Sequence, residues 1–211
     1  MTDRTDQGID HIRAAAQMVA RAFATEVRPD FLEQVEAYTA SPLSGLEPDA
    51  QKLADRGVRQ LEVALAKRED AADKQEWDDY LDASYAELFL GATMQTIAPQ
   101  ESLYYGREKV MYQQPYFDVL SIMKEWKWST PPGFEEPEDH IAAEWAFYLY
   151  LLDKGTSGAA GQRALEAASE FKSQHMDSWM DRAFQDIIDA DDVGFYTGMV
   201  YIARTLMMVL K

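Results

Sequence analysis

Apolar residues recur every three or four positions along most of the chain and almost nowhere alternate with polar ones, so helices are expected and strands are not. Ile9, Ile12, Ala16, Val19, Phe23 and Val27 mark a first amphipathic helix, which Pro29 ends. Asp30 followed by Glu33 has the spacing of a capping box and opens a short second helix through Phe31, Leu32, Val35 and Tyr38. Residues 41–48 read as loop, after which Ala50, Leu53, Gly57, Leu61 and Leu65 resume the helical spacing. The charged run at 67–76 is a solvated face or a turn. Trp77, Leu81, Ser84, Tyr85, Leu88 and Phe89 then form a stripe that Gly91 stops, and 91–102 is expected to be a connecting loop. Residues 103–112 read as a short helix or irregular chain, and Pro115 opens a helix carrying Leu120, Met123 and Trp126.

The stretch 135–152, EEPEDHIAAEWAFYLYLL, holds the most information. Pro137 suits a first helical turn, and Glu138 and Asp139 complement the positive end of the helix dipole. At about 100° per residue, Phe147, Leu151, Tyr148, Ile141 and Trp145 share one arc with His140 and Glu144. A histidine and a carboxylate on a core-facing stripe must be hydrogen-bonded or cost about 1–3 kcal/mol each. Two readings stay open: a structural pair that ties neighbouring loops, or Asp139 and His140 facing a groove where something binds. A glycine-rich turn over 153–161 precedes a long helical pattern over 162–190, broken at most once. The last helix, 193–210, is apolar almost all round. It is shorter than a membrane span and carries Arg204, so it reads as buried.

These elements imply an all-α fold, expected as one globular multi-helix domain over residues 1–211. With Lys plus Arg at 20 against Asp plus Glu at 37, the net charge is −17; the field repels nucleic acid and anionic membranes and attracts cationic partners. The sequence has no cysteine, which removes disulfides and thiolate chemistry. The polar N-terminus, MTDRTDQGIDHIR, has no apolar export core, so a cytoplasmic protein without stable membrane insertion is expected. A di-iron bundle would need Glu three residues before its histidines, but Gly8, Pro137 and Lys172 precede His11, His140 and His175. No phosphate-cradling loop or nucleophile elbow is present, and neither a cofactor, a metal nor a catalytic residue is expected.

Three segments together resemble the TorD/DmsD family of cytoplasmic molybdoenzyme maturation chaperones, also called redox-enzyme maturation proteins. They are Tyr85-Ala-Glu-Leu88-Phe89 with the following Pro99-Gln-Glu101-Ser102 and Tyr104, then Glu136-Pro137-Glu138-Asp139-His140, then His175-Met-Asp-Ser-Trp179. The resemblance implies a non-enzymatic helical protein. Such a protein binds the twin-arginine signal peptide, and often the body, of one molybdenum oxidoreductase, assists cofactor insertion and prevents premature export. It also implies that Tyr85, Leu88, Phe89, Asp139 and His140 contribute to the peptide site. An acidic chain with aromatic and aliphatic helix faces matches a tag made of two cations and an apolar segment. Tyr85, Leu88 and Phe89 are therefore expected to line an apolar groove, with Glu101 and Asp139 meeting the arginines and Ser102, His140 and Glu144 completing the site. A regulatory protein binding a nucleotide or small ligand in the same pocket is the alternative, and monomer and homodimer both stay open.

Overall fold

The computed structural model describes residues 3–91, 96–156 and 158–210. Among them the fold is all-α, with no strand beyond one isolated bridge. The helices are α1 (Asp3–Ala24), α2 (Pro29–Ala40), α3 (Pro48–Asp70), α4 (Lys74–Phe89), α5 (Gln114–Glu125), α6 (Ile141–Lys154), α7 (Gly158–Phe171), α8 (Asp177–Ala190) and α9 (Phe195–Val209). A 3₁₀ turn, Glu101–Tyr104, precedes α5, and a π-helical turn, Lys172–Met176, joins α7 to α8. Tertiary contacts gather the chain into two compact units, Met1–Ile97 with Phe184–Lys211, and Ala98–Ala183.

In the first unit α9 is the central element. Its residues from Phe195 to Ala203, with Thr205 and Leu206, are buried, as its all-round apolar pattern requires. It crosses α3 closely because neither helix carries a side chain at the crossing: a Cβ on Gly57 would lie 2.6 Å from Ile202 Cδ1 and 3.0 Å from the Gly198 carbonyl oxygen. Asp191 sets the start of α9, its carboxylate accepting the backbone N–H groups of Val193, Gly194 and Thr197. Among the described residues no helix is long and apolar enough to cross a membrane.

Three local expectations change. Asp30 is not the cap of α2: Arg28 holds that position, Pro29 opens the helix, and Asp30 pairs with Arg21 from the first turn. The glycine-rich turn is shorter than expected, since α6 runs to Lys154 and α7 starts at Gly158. Glycines permit this because a Cβ on Gly161 would lie 2.5 Å from the Gly155 carbonyl oxygen. Pro137 does not open the long helix, which begins at Ile141 with His140 as its cap. Of the expected loop over 91–102, residues 92–95 lie outside the described residues.

Candidate functional site

The second unit is built on a non-local pairing that displaces the start of α6. Gln100 and His140 form an antiparallel bridge; the Glu101 N–H donates to the Asp139 carbonyl (2.8 Å) and the Ile141 N–H to the Pro99 carbonyl (2.8 Å). His140 is thereby held in extended geometry, and the helix waits until Ile141. Asp139 turns its carboxylate inward, where Oδ2 accepts the Ser102 N–H (2.9 Å). Burial raises the Asp139 pKa, against the lowering effect of these Ser102 hydrogen bonds. His140 caps α6, its Nδ1 accepting the Ala142 N–H (3.1 Å), so the ring proton sits on Nε2. Burial lowers its pKa to about 3, keeping the imidazole neutral at physiological pH.

A second cluster adjoins this pairing. Glu101, buried although acidic, accepts from His175 Nδ1 through Oε2 (2.8 Å) and from the Ser178 hydroxyl through Oε1 (3.1 Å). The π-helical turn that contains His175 widens the helix there. Glu144, fully buried, accepts the Trp179 indole N–H on Oε2 (3.1 Å), while Oε1 receives no hydrogen bond. Its pKa is raised well above the ordinary value, first by burial and then by the negative charge of Glu101. A protonated Glu144 accounts for the unaccepting oxygen, because its O–H then donates to the Glu101 carboxylate.

These buried groups position an exposed surface. Gln113 donates its amide to the carbonyls of Ser102 (2.8 Å), Glu108 (2.8 Å) and Val110 (3.0 Å), and its N–H reaches Ser102 Oγ (3.2 Å). The loop it closes carries Tyr112 at φ +59°, a left-handed conformation that costs about 1 kcal/mol for a non-glycine residue. The segment presents exposed Tyr105, Val110, Met111, Tyr112 and Phe117. Beside it lies a cavity of about 470 Å³ lined by Tyr105, Asp118, Ile122 and Gln174 together with Glu101 and His175. Among the described residues no cluster of three or more His, Asp or Glu side chains could hold a metal ion.

The expected residues divide by unit. Glu101, Ser102, Asp139, His140 and Glu144 all fall within the linked clusters of the second unit, and all are buried. Tyr85, Leu88 and Phe89 belong to the first unit and are buried as well. There Phe89 packs against Phe23 and Tyr196, and the Tyr85 hydroxyl donates to the Phe23 carbonyl (3.3 Å). Leu88 also lines a cavity of about 130 Å³ with Tyr80, Glu87 and Asp191. The Glu101 partners His175 and Ser178 were missed as site residues, although a histidine spaced between Phe171 and Trp179 on one stripe is a readable signal. Gln113 and Asp118 had none, since their importance depends on the shape of the loop.

Residues 48–185 match the family model described as nitrate reductase delta subunit. Among curated relatives, the chaperone protein TorD of Aliivibrio salmonicida is 22% identical over 188 residues, covering 88% of this chain and 86% of the relative. The protein of the same name from Vibrio cholerae is 28% identical over 164 residues, covering 76% and 72%. That from Shewanella oneidensis is 26% identical over 200 residues, covering 90% and 85%.

Proposed function

Because the chain belongs to the TorD/DmsD family, matched through the nitrate reductase delta subunit model, we propose that it is a maturation chaperone for a redox enzyme and not itself a catalyst. The finer reading is that it works in the cytoplasm, holds the twin-arginine signal peptide or body of a molybdenum oxidoreductase, assists cofactor insertion and delays export. The observation that carries it is the second unit's acidic cavity, where Asp118 and the Glu101 carboxylate stand beside an exposed apolar strap. Arginines seated in the cavity leave the apolar part of the tag to Tyr105, Val110, Met111 and Phe117, and the −17 net charge speeds the encounter.

In this reading the buried members of the expected site act at one remove. Asp139 and Ser102 fix the base of the strap, and His140 fixes Asp139 by capping α6. Glu144 and His175 hold the Glu101 carboxylate in place. Tyr85 and Phe89 support the first unit, with Leu88 at the wall of its small cavity as their contribution to client contact. A nucleotide-binding regulator is disfavoured, because the cavity presents carboxylates where a polyphosphate needs cations.

The test is titration of the twin-arginine signal peptide of a molybdenum oxidoreductase from the same cell. Asp118→Asn with Glu101→Gln is expected to weaken binding about tenfold and to flatten its salt dependence, while Leu88→Ala has a smaller effect. Unchanged affinity in both variants would remove the proposed site.

A further inference from the structure

The acidic cavity does not end at Gln174. It shares Ile122 and Gln174 with a second cavity of about 410 Å³, so that one groove runs between α5 and the face formed by α7, the π turn and the start of α8. On α5 the lining positions Asp118, Ile122, Glu125 and Trp126 fall on one helix face. Opposite them stand Glu166, Glu170, Gln174 and His175, ending at Ser178. At 1.5 Å per residue the stretch 163–178 spans about 22 Å, room for six or seven extended residues.

Among the described residues, the groove's charge is largely unanswered by cations. Asp118, Glu166 and Glu170 accept hydrogen bonds from the amides of Gln114, Gln162 and Gln174, which leave each carboxylate's charge in place. The cation that enters is the chain's own Arg163. Its guanidinium lies 5.2 Å from the Trp126 ring centre and hydrogen-bonds Glu125. The receiving pair is itself fixed, because the Trp126 carbonyl accepts the Tyr150 hydroxyl (3.1 Å) at the end of α5. The Arg163 side chain is 70% exposed and that of Glu125 61%, so solvent competes freely for this pair and another guanidinium can replace it.

We propose that the α5–α7 groove is a docking site for an arginine-bearing extended peptide, and that Arg163 is an internal stand-in for the partner's guanidinium on Trp126 and Glu125. The inference rests on the chaperone reading only for the identity of the partner. The planar group stacks on the indole and forks to the carboxylate, so arginine is preferred over lysine. The neighbouring acidic cavity accepts a second cation of the same segment.

The experiment uses the full chain, an acetylated and amidated Arg-Arg dipeptide, its Lys-Lys counterpart and a twin-arginine signal peptide. Binding is followed by calorimetry and by the Trp126 indole N–H resonance, assigned through Trp126→Phe. Arg163→Ala should bind Arg-Arg about two- to fivefold more tightly, the range an exposed ion pair can contribute. Lys52→Ala, which removes the same charge from an exposed site in the first unit, should leave affinity unchanged. Glu125→Gln should weaken Arg-Arg and leave the already weak Lys-Lys little altered, and the Trp126 resonance should move on titration. Arg163→Lys, which keeps the charge without the flat group, should fall between wild type and Arg163→Ala and guards against a folding artefact. An Arg163→Ala protein that binds no more tightly than Lys52→Ala, or a stationary Trp126 resonance, would overturn the proposal. If the signal peptide binds every form alike, the groove is refuted and the chaperone reading stands. If the dipeptides behave as expected but the signal peptide does not bind, the groove stands and the signal-peptide reading falls.

Discussion

The two units fill their interiors differently. In the first, the buried polar residues among those described are Ser84, Thr197 and Thr205, all hydroxyls, set among Phe23, Phe31, Phe89, Phe184, Phe195 and Tyr196. In the second, Gln100, Glu101, Ser102, Asp139, His140, Glu144 and His175 are all buried, so every buried carboxylate and imidazole among the described residues lies there. A hydrocarbon interior contributes stability through area and close packing and does not aim its groups. A hydrogen-bonded polar interior adds less net free energy, but it fixes backbone segments relative to one another, and removing one partner leaves another orphaned. The exposed strap and the acidic groove are found on the unit built in the second way.

The largest effect is expected where the first unit's packing is tightest. Gly57→Val would place a branched side chain into the space of Ile202 and the Gly198 carbonyl, and its Cβ alone is 2.6 Å from Ile202 Cδ1. Forcing α3 and α9 apart costs about 3 kcal/mol or more. Chemical denaturation should show this as a lowered midpoint. A midpoint within about 0.5 kcal/mol of wild type would mean that the crossing is looser than its glycines imply.

The second unit should answer to pH as well as to volume. Glu144→Ala leaves the Trp179 indole N–H without its partner and opens a void, at a cost of about 2–3 kcal/mol. Glu144→Gln retains an acceptor for Trp179 and gains an amide that donates to Glu101. Because the folded pKa of Glu144 is raised, the unfolded chain ionises first, and wild-type stability declines as pH rises above about 4.5. Glu144→Gln should therefore match wild type near pH 4 and exceed it near pH 8. His140 works in the opposite direction. With its pKa lowered from 6.5 to about 3, the unfolded chain takes up a proton that the folded one refuses, and stability is lost as pH falls from about 6.5 towards 3. His140→Asn keeps an acceptor for the Ala142 N–H and should spare about 2 kcal/mol of that loss at pH 5. Denaturant midpoints of the variants across pH 4–8 measure both effects, and parallel profiles would mean that neither group carries the dependence.

The same contrast decides what could be read from the chain. Apolar spacing locates α3, α4 and α9 because their burial follows from local periodicity, and α9 needs no knowledge of its neighbours beyond their being apolar. Pro137 reads locally as the start of α6, whereas residues 99–101 pair with 139–141, hold His140 extended and delay the helix to Ile141. Glu101, Ser102, Asp139, His140 and Glu144 are legible as candidates: polar residues in apolar stripes and beside a family motif stand out. Their burial is not legible, because it depends on segments far apart in sequence. His175 is legible only as part of a motif, since its bond to Glu101 depends on the long-range fold of the second unit.

The smallest expected effects on stability separate the two kinds of interior most sharply. Gln113→Ala deletes the amide shared among the carbonyls of Ser102, Glu108 and Val110 and leaves the backbone bond to Ser102 Oγ in place. Glu108 and Val110 are exposed and their carbonyls can turn to water, while the buried Ser102 carbonyl keeps the Tyr105 N–H, so the loss should be about 1 kcal/mol, or about 2–4 °C in melting temperature for a chain of this size. Tyr112 then has less to hold it at φ +59°, and the strap's apolar groups become mobile. A client would have to order them on binding, so affinity for an apolar peptide should fall by several-fold, with faster amide exchange over 105–113. Thr205→Val is the counterpart in the first unit. It replaces a hydroxyl bonded to the Tyr201 carbonyl (2.8 Å) by a methyl of similar size, and it should alter neither stability by more than about 0.5 kcal/mol nor peptide affinity at all. Equal affinity losses in the two variants would mean that the polar interior of the second unit is not what holds the binding surface in shape.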